Sequence, residues 1–537
     1  MTDPRSVTAA ASDAKSSAPP QQHTLSTQAG TPPSTPPEAM TWQNRLRQSP
    51  ASLRVHILGI GGTGVGPIAR VLLQLGVQVS GSDRQIGPAT AALATLGAHI
   101  YPTQAAANLL DATVATRPHL VLISSAVAPE NPERTAAAQL DIPIVKRVDF
   151  LPELLANRQT IAIAGTHGKT TTTGMVAHVL QQCGLQPGYI IGAEVPGLGN
   201  AAAGTSPWFV IEADEYDHMF LGLYPTLAVV TNVEWDHPDC FPTAASFTDA
   251  FRRFLGQVQP HGQIISCHDD EGAEALRAAH LARADFNRPD FNQSWITYGT
   301  HPATSHIAAS HTLVATAATI QARPSPDGAV QVTVSGEPVG HMQLAVPGLH
   351  NVRNALAALA VAQACGIAPA AALTALASYR GSRRRFELIG EAPQGITVID
   401  DYGHHPTEVA ATLAAARSRY PDRVIHAVFQ PHTFSRTRQY LDAMAMSFSN
   451  ADHALITDIY PAREQDDGTV HARQIVARAH HPHMEYTGTL DATTARLLAT
   501  VQPGAVVITL SAGDGNQVGQ RLLAHLAAHT PEQDGAQ

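Results

Sequence analysis

The stretch "AIAGTHGKTTTTGM" at residues 162–175 constrains the fold more than any other part of the chain. An apolar run typical of a buried strand ends in a glycine-containing turn, and a helix-forming segment follows directly. Free backbone N–H groups in such a turn, together with the dipole of the helix, favour a bound phosphate. The stretch therefore predicts a strand, a phosphate-binding loop and a helix in an α/β unit.

The same loop predicts ATP binding. Lys169 adds a positive charge beside the phosphates, and the Thr170 hydroxyl stands where such loops supply a ligand to Mg²⁺. The usual pattern has a glycine where this chain has Ile163, so only the shorter form G-x-x-G-K-T is present. A tight turn with a solvated lysine is the alternative. The residues assigned to ATP in this loop are Gly165, Thr166, His167, Gly168, Lys169, Thr170 and Thr171.

Strand-like and helix-like segments alternate along most of the chain, which predicts parallel sheets flanked by helices. The predicted fold class is α/β with three domains: a Rossmann-like domain at 51–152, a central P-loop ATPase domain at 153–380, and a C-terminal Rossmann-like domain at 381–530. Residues 1–50 are rich in Pro, Ser, Thr, Ala and Gln, which predicts a disordered tail. The less regular residues 270–345 predict an appended antiparallel patch.

Composition excludes several classes of protein. A net charge of -10 argues against a surface that binds nucleic acid. The chain has no run of 18 apolar residues and no apolar N-terminal segment, which predicts a cytoplasmic protein without membrane insertion. The 4 cysteines have no CxxC spacing, which argues against a zinc site or a disulfide framework. Small molecules are the expected partners, and the expected assembly is a monomer or a homodimer.

A second glycine loop, "GIGGTGVG" at residues 59–66, follows a predicted strand. Asp83 lies 19 residues after Gly64. This spacing is similar to the dinucleotide fingerprint, in which glycines approach a pyrophosphate and an acid contacts a ribose hydroxyl. The pyrophosphate of any nucleotide satisfies the same chemistry. An NAD-dependent dehydrogenase therefore stays an alternative, although no other part of the chain indicates hydride transfer.

Several motifs together resemble the Mur ligases, the amide-forming enzymes that build the peptide of peptidoglycan precursors. The motifs are "GTHGKTTT", "VIEADEYD", "VVTNVEWDHPD", "HNVRNALAA", "DDYGHHPTE" and "FQPHTFSRT", and the resemblance spans about residues 54–525 in order. It implies an ATP-dependent ligase in which ATP phosphorylates a carboxylate and an amine attacks the acyl phosphate. ATP and Mg²⁺ are the implied cofactors.

The last two motifs resemble the branch of the family that adds the first amino acid. This implies ligation of L-alanine to the lactyl carboxylate of UDP-N-acetylmuramate. The glycine loop, "SGSD" and "SSAVAPENPE" resemble the part that binds the UDP-sugar, which implies contacts from Gly59, Gly61, Gly62, Thr63, Gly64, Asp83, Ser124 and Ser125. One alternative is the branch that attaches a whole tripeptide to the same sugar nucleotide, which "EADEYD" with Tyr216 slightly favours. Another is a catalytically silent nucleotide-binding regulator.

The resemblance also implies roles for single residues. Glu212 and His237 match the metal-binding positions of the family and would join Thr170 on Mg²⁺. Asn351 and Asn354 are expected at the adenine, and His405 is expected to pack at a helix start. Arg385 is expected to neutralise charge on the γ-phosphate. Residues expected near the amino acid are Tyr402, His404 and Arg436, and those with catalytic roles are Lys169, Glu212, His237, Arg385 and His404.

Overall fold

The computed structural model of the chain describes residues 40–282, 293–301, 319–324 and 330–529. Most of the predicted tail, residues 1–39, lies outside these ranges. The tail boundary predicted at residue 50 is corrected, because Trp42–Gln48 forms a helix, α1. The Trp42 ring stacks on Phe150 with 5.6 Å between centroids, and Leu46 is buried. These two apolar side chains are four residues apart and lie on one face of the helix. They let the helix pack on the domain, although the composition of the segment is mostly polar.

The first sheet follows this helix. Its strands are β1 (Arg54–Leu58), β2 (Gln78–Ser82), β3 (His99–Tyr101), β4 (Leu120–Ile123) and β5 (Ile144–Lys146). Its helices are a 3₁₀ turn (Pro50–Ser52), α2 (Gly66–Gln74), α3 (Pro88–Thr95), α4 (Ala107–Leu110), α5 (Pro132–Gln139) and α6 (Arg147–Leu155). All pairings are parallel, in the order β3-β2-β1-β4-β5. The order reverses between β1 and β4, where open α/β sheets bind ligands.

The central sheet has ten strands within the described ranges. They are β6 (Gln159–Ala164), β7 (Gly188–Val195), β8 (Gly199–Ala202), β9 (Trp208–Glu212), β10 (Leu227–Val230), β11 (Gln263–Cys267), β12 (Ser294–Gly299), β13 (Thr319–Pro324), β14 (Val330–Val334) and β15 (Glu337–Met342). The helices are α7 (Lys169–Gln182), a 3₁₀ segment (Tyr216–Gly222), α8 (Ala244–Leu255), α9 (Glu271–Leu281), α10 (Leu349–Ala364) and α11 (Pro369–Ala377). Strands β13, β14 and β15 pair antiparallel, which confirms the predicted patch.

The third sheet has the order β16-β17-β21-β18-β19-β20, and all its pairings except that of β16 are parallel. These strands are β16 (Glu387–Glu391), β17 (Thr397–Asp401), β18 (Ile425–Phe429), β19 (His453–Thr457), β20 (Met484–Gly488) and β21 (Val506–Leu510). The helices are α12 (Pro406–Arg419), α13 (Phe434–Gln439), α14 (Leu441–Met446), α15 (Arg473–Arg478), α16 (Leu490–Thr500) and α17 (Gln517–Ala528). The predicted α/β class with three sheets is confirmed. In the part of the chain that the structure describes, no helix combines the length and apolarity needed to cross a membrane.

Strand pairing explains how the central motifs meet. Strand β6 lies between β9 and β10, and it pairs parallel with both. Ile163 is opposite Glu212, and Ala164 is opposite Val230. Because parallel strands end at the same edge, the phosphate loop after β6, the acid at the end of β9 and the polar residues after β10 converge there.

Two stacked histidines in the third sheet make its stability sensitive to acid. His426 on β18 is 1% exposed, and its ring lies 4.6 Å from that of His453 on β19. Burial, and then the charge of His453, lower the pKa of His426 to about 4. In the unfolded chain a histidine titrates near pH 6.5. Between that pH and pH 4 the unfolded state binds a proton that His426 in the folded state does not bind, which favours unfolding. This contribution is complete above pH 6.5 and is lost as the pH falls towards 4.

We expect the melting temperature to fall between pH 7 and pH 4.5, and the fall to be smaller in His426→Phe by about 2 °C or more. Calorimetry at the two pH values measures it. His261 is exposed, so His261→Phe is the matched control and should keep the wild-type difference. An unchanged difference in His426→Phe would mean that other groups control the acid sensitivity.

Candidate active site

A cleft of about 920 Å³ lies between the carboxyl ends of strands from all three sheets. It is bordered by the glycine loop after β1, the loop before α7, the end of β9, and polar residues that follow β10, β17 and β18. The predicted site residues that line it are Gly61, Gly62, Thr63, Gly64, Thr166, Gly168, Lys169, Thr170, Glu212, His237, Arg385, Tyr402, His404 and Arg436. Motifs far apart in the sequence therefore share one cavity.

The phosphate loop, residues 165–168, needs its two glycines. Gly165 has φ 136° and Gly168 has φ 80°, in the region that side chains rarely adopt. A Cβ atom would also lie 2.0 Å from Thr231 Oγ1 at Gly165, and 2.7 Å from Asn354 Oδ1 at Gly168. The loop is thus pressed between the end of β10 and the start of α10, with its backbone towards the cleft.

Lys169 opens α7, and its ammonium group turns back onto the loop. Nζ donates to the carbonyl oxygens of Gly165 at 2.6 Å and Thr166 at 3.0 Å, and to Glu215 Oε1 at 3.0 Å. Burial lowers the pKa of Lys169, but the carboxylates of Glu215 and Asp214 outweigh burial and raise it above its ordinary value. The lysine therefore carries its positive charge at the phosphate loop.

Two of the three predicted metal ligands contact each other. Thr170 Oγ1 donates to Glu212 Oε1 at 3.0 Å, and the Gly192 amide donates to Glu212 Oε2 at 2.8 Å. Burial raises the pKa of Glu212. His237 lines the same cleft, but its Nε2 lies 3.5 Å from Glu215 Oε1. The structure thus places a fully buried carboxylate, Glu215, beside the predicted histidine.

A buried ion pair joins the segment after β10 to helix α13. Arg436 Nε lies 3.0 Å from Asp236 Oδ1, and Nη2 lies 3.2 Å from Oδ2. Both residues are 4% exposed. Burial raises the pKa of Asp236, but Arg436 outweighs burial and holds it far below its usual range. Arg436 lines the cleft, and two of its three guanidinium nitrogens bind Asp236.

The motif "DDYGHHPTE" runs from the end of β17 into α12. His404 Nδ1 donates to the Tyr402 carbonyl oxygen at 3.0 Å, which leaves Nε2 as the unprotonated ring nitrogen. Burial, and then the charge of Arg436, lower the pKa of His404 to about 3, so the ring is neutral at pH 7. The Arg385 guanidinium lies 4.9 Å from the centre of the Tyr402 ring. The neutral imidazole of His404 and the guanidinium of Arg385 therefore both lie next to the Tyr402 ring at the cleft.

His405 and the two asparagines lie behind this wall. His405 caps α12, accepts the Thr407 amide at 3.3 Å and is 1% exposed, which agrees with the expected packing role. Asn351 and Asn354 are buried at the start of α10, where the Asn354 amide donates to Asn351 Oδ1 at 3.3 Å. Thr171 is buried on α7. These side chains support the phosphate loop from outside the cleft.

The first glycine loop is held by the acid that the sequence assigned to a ribose. Asp83 Oδ2 accepts the Gly61 amide at 2.8 Å. Gly59 has φ 70° and starts the loop. Ser124 and Ser125 follow β4, next to this loop at the point where the strand order reverses. Asp83 therefore stabilises the loop itself in this structure.

Sequence reasoning missed several charged residues of the site, namely Arg147, Glu215, Glu234, Asp236 and Glu408. Four of them stand inside motifs that were recognised, but a motif does not say which of several acids turns inward. Arg147 lies outside every motif; it donates to the Gly64 carbonyl oxygen at 3.3 Å and lies 3.6 Å from Asp214. Only the folded chain brings it to the cleft.

Comparison with known proteins covers nearly the whole chain. Profiles of the Mur ligase family match as the catalytic domain at residues 54–159, the middle domain at 163–362 and the glutamate ligase domain at 384–513. The UDP-N-acetylmuramate--L-alanine ligase of Chloroflexus aggregans is 43% identical over 492 residues, which cover 88% of this chain and 98% of that protein.

Solved structures agree with these matches. The UDP-N-acetylmuramate-alanine ligase of Thermotoga maritima superposes with a TM-score of 0.70 at 26% identity, covering 89% of this chain and 100% of that one. A murein peptide ligase from Psychrobacter arcticus gives a TM-score of 0.65 at 26% identity, covering 89% of this chain and 99% of that one.

Proposed function

The chain belongs to the Mur ligase family, and from that membership we propose how its cleft carries out the reaction. It is an ATP-dependent ligase that joins L-alanine to the lactyl carboxylate of UDP-N-acetylmuramate, the first peptide step of peptidoglycan precursor synthesis. ATP phosphorylates the carboxylate, the amine of L-alanine attacks the acyl phosphate, and phosphate leaves. The observation that carries this assignment is the single cleft shared by two glycine loops and the "DDYGHHPTE" motif.

ATP binds with its phosphates on residues 165–168, where the helix start and the Lys169 charge attract them. Mg²⁺ would be held by Thr170, Glu212 and His237. The donor set fits such an ion, because it has a hydroxyl and a half-buried carboxylate already turned to each other at 3.0 Å. Bound there, Mg²⁺ would neutralise charge on the phosphates.

The amine step uses the third sheet. The neutral His404, with Nε2 unprotonated, accepts a hydrogen bond from the amine of L-alanine and orients its lone pair for attack. Arg385 stabilises the negative charge that develops on the transferred phosphoryl group. Tyr402 and Arg436 line the part of the cleft in which L-alanine lies. Closure of the C-terminal domain, which contains the third sheet, over the cleft keeps water from the acyl phosphate.

The sugar nucleotide binds across the first sheet. Its pyrophosphate lies on the loop of Gly61–Gly64, and Ser124 and Ser125 approach it from the neighbouring strand end. We place the reaction in the cytoplasm, where ATP is available and where the cysteines, all free in the described ranges, stay reduced. We propose that the protein works as a monomer or a homodimer.

Phosphate release tests the assignment. We expect release only when UDP-N-acetylmuramate, ATP and an amine are all present, with no change in NAD(P)H absorbance. Release without an amine, or a redox signal, would contradict it.

The rival substrate is a tripeptide, favoured by Tyr216, whose ring lies 5.0 Å from that of His237 at the cleft. A higher kcat/KM for the tripeptide than for L-alanine would replace the amino-acid assignment by this rival.

We further expect L-alanine to exceed glycine and L-serine in kcat/KM by roughly 10-fold or more. A pocket that fits one methyl group gains about that factor over the smaller side chain and excludes the larger one. Parallel turnover assays at fixed UDP-N-acetylmuramate measure the ratio. Equal kcat/KM values for the three amino acids would show that the cleft does not discriminate between their side chains.

A further inference from the structure

His167, in the middle of the phosphate loop, reaches out of the loop to two carboxylates on different parts of the protein. Its Nε2 lies 2.9 Å from Glu234 Oε2, in the segment after β10, and its Nδ1 lies 3.2 Å from Glu408 Oε1, on α12. The His167 backbone is fixed as well, because its amide donates to Asn232 Oδ1 at 2.8 Å and Thr231 Oγ1 donates to its carbonyl oxygen at 2.6 Å. The ring is thus held at both nitrogens, and the backbone at both its amide and its carbonyl oxygen.

Glu408 continues the connection to the amine site. While Oε1 faces His167, Oε2 accepts the amides of His404 at 3.1 Å and His405 at 3.3 Å, as the acid of a capping box. Glu408 Oε1 also lies 4.0 Å from Arg385. One carboxylate therefore contacts the phosphate loop and fixes the backbone of His404, which orients the amine.

A second bond closes the ring of contacts. Thr407 Oγ1 donates to Glu234 Oε1 at 2.9 Å, so Glu234 binds both His167 and the first turn of α12. Burial lowers the pKa of His167, but the bonds to Glu234 and Glu408 outweigh burial and raise it to about 9. The imidazole is therefore protonated and donates to both carboxylates.

The same group invites comparison with a metal site. Across the described ranges, His167, Glu234 and His405 form a set whose ligand atoms lie within 4.8 Å of one another. Both nitrogens of His167 already face carboxylates, and His405 Nδ1 accepts the Thr407 amide. The protonated imidazole of His167 donates one N–H to each carboxylate, so these atoms are satisfied by hydrogen bonds without an ion.

We propose that His167 is a positioning residue that couples the ATP loop to the amine site, acting through Glu408 on His404 and Arg385. The phosphate loop holds His167, His167 holds Glu408, and Glu408 sets the start of α12, where His404 stands. The proposal rests on the ligase function above and assigns to His167 a task separate from holding ATP. Its loss is expected to slow turnover without weakening ATP binding.

Steady-state kinetics of His167→Asn, Glu408→Gln and the double variant test this coupling. Glutamine preserves the capping box but no longer offers His167 a carboxylate. We expect kcat to fall by roughly 10-fold or more in each single variant, as for the loss of a hydrogen bond between charged groups. The kcat of the double variant should lie within about 3-fold of that of the slower single variant, because the two substitutions remove the same interaction. The dissociation constant of a non-hydrolysable ATP analogue should change by less than about 3-fold.

His167→Gln, whose longer side chain carries its donor amide farther from the backbone than that of asparagine, is the conservative variant and should recover part of the lost kcat. His261→Asn, at an exposed site, is the matched control. The coupling is overturned if the two single effects multiply in the double variant, if His167→Asn keeps kcat within about 2-fold of wild type, or if its loss lies in ATP binding.

Hydrogen exchange of the ligand-free protein separates this proposal from the function. In His167→Asn the amides of residues 404 and 405 should exchange faster than in wild type, while those of β18 stay unchanged. Unchanged exchange at 404 and 405 would overturn the coupling, whatever the enzyme assay shows. A wild-type protein that ligates no amine would instead remove the proposed function and leave the exchange result standing.

Discussion

Replacement of Lys169 by alanine is expected to abolish ligation, lowering kcat/KM by roughly 1,000-fold. The ammonium group is the cation that points into the phosphate loop, at 2.6 Å and 3.0 Å from two loop carbonyl oxygens. Without the ammonium group, no lysine charge balances the phosphates at the transferred group. The carboxylate of Glu215, no longer paired with Lys169, then repels the triphosphate. Phosphate release with UDP-N-acetylmuramate, ATP and L-alanine gives the measurement.

The variant has to be shown to fold. Glu215 is fully buried and keeps His237 as a partner at 3.5 Å, so we expect an unchanged circular dichroism spectrum and a melting temperature lowered by a few degrees. Lys146, which is exposed, supplies the control variant Lys146→Ala, with wild-type activity. Product formation by folded Lys169→Ala at the normal rate would contradict the assignment of the loop to ATP.

Removal of one partner of the Asp236–Arg436 pair is expected to have the next largest effect. Asp236→Ala leaves a guanidinium that is 4% exposed without its carboxylate, and such uncompensated charges cost about 3–5 kcal/mol of unfolding free energy. The Arg436→Met variant is expected to lose a similar amount. The double change Asp236→Ala with Arg436→Met should recover part of the loss, because no charge is then left buried. Urea denaturation measures all three.

Helix α13 supplies a matched control for this prediction. Arg438 stands two residues after Arg436 and pairs with Asp467 on the surface, with 47% and 53% of the two side chains exposed. Arg438→Met removes the same chemical group from the same helix and should change stability little, since water solvates what is left. Equal losses for Arg436→Met and Arg438→Met would show that burial of the ion pair is not the cause.

The sequence predicted the parts of the fold that follow from local pattern. Buried strands such as β6 and β10 are short apolar runs followed by polar motifs, and parallel pairing then brings the strand ends together. Helix α1 escaped because its helix is stabilised by Trp42 against Phe150, a contact with a residue more than 100 positions away.

The site was predictable to the level of motifs but not to the level of partners. "EADEYD" and "NVEWDHPD" each offer several acids, and the sequence alone does not tell which of them face the cleft. Glu215, Asp236 and Glu408 turned inward because Lys169, Arg436 and His167 stand opposite them. These partners lie up to 241 positions apart in the sequence, so no spacing rule within one motif could have paired them.

The tight packing around Gly165 and Gly168 limits how the nucleotide loop can be redesigned. Thr231 and Asn354 occupy the volume that a methyl group on either glycine would need, and they belong to two other elements of the central sheet region. A change of loop sequence therefore has to be accompanied by smaller side chains at the end of β10 and the start of α10. Redesign of the phosphate loop therefore requires three segments to be changed together, and libraries that vary only single positions of the loop do not sample such combinations.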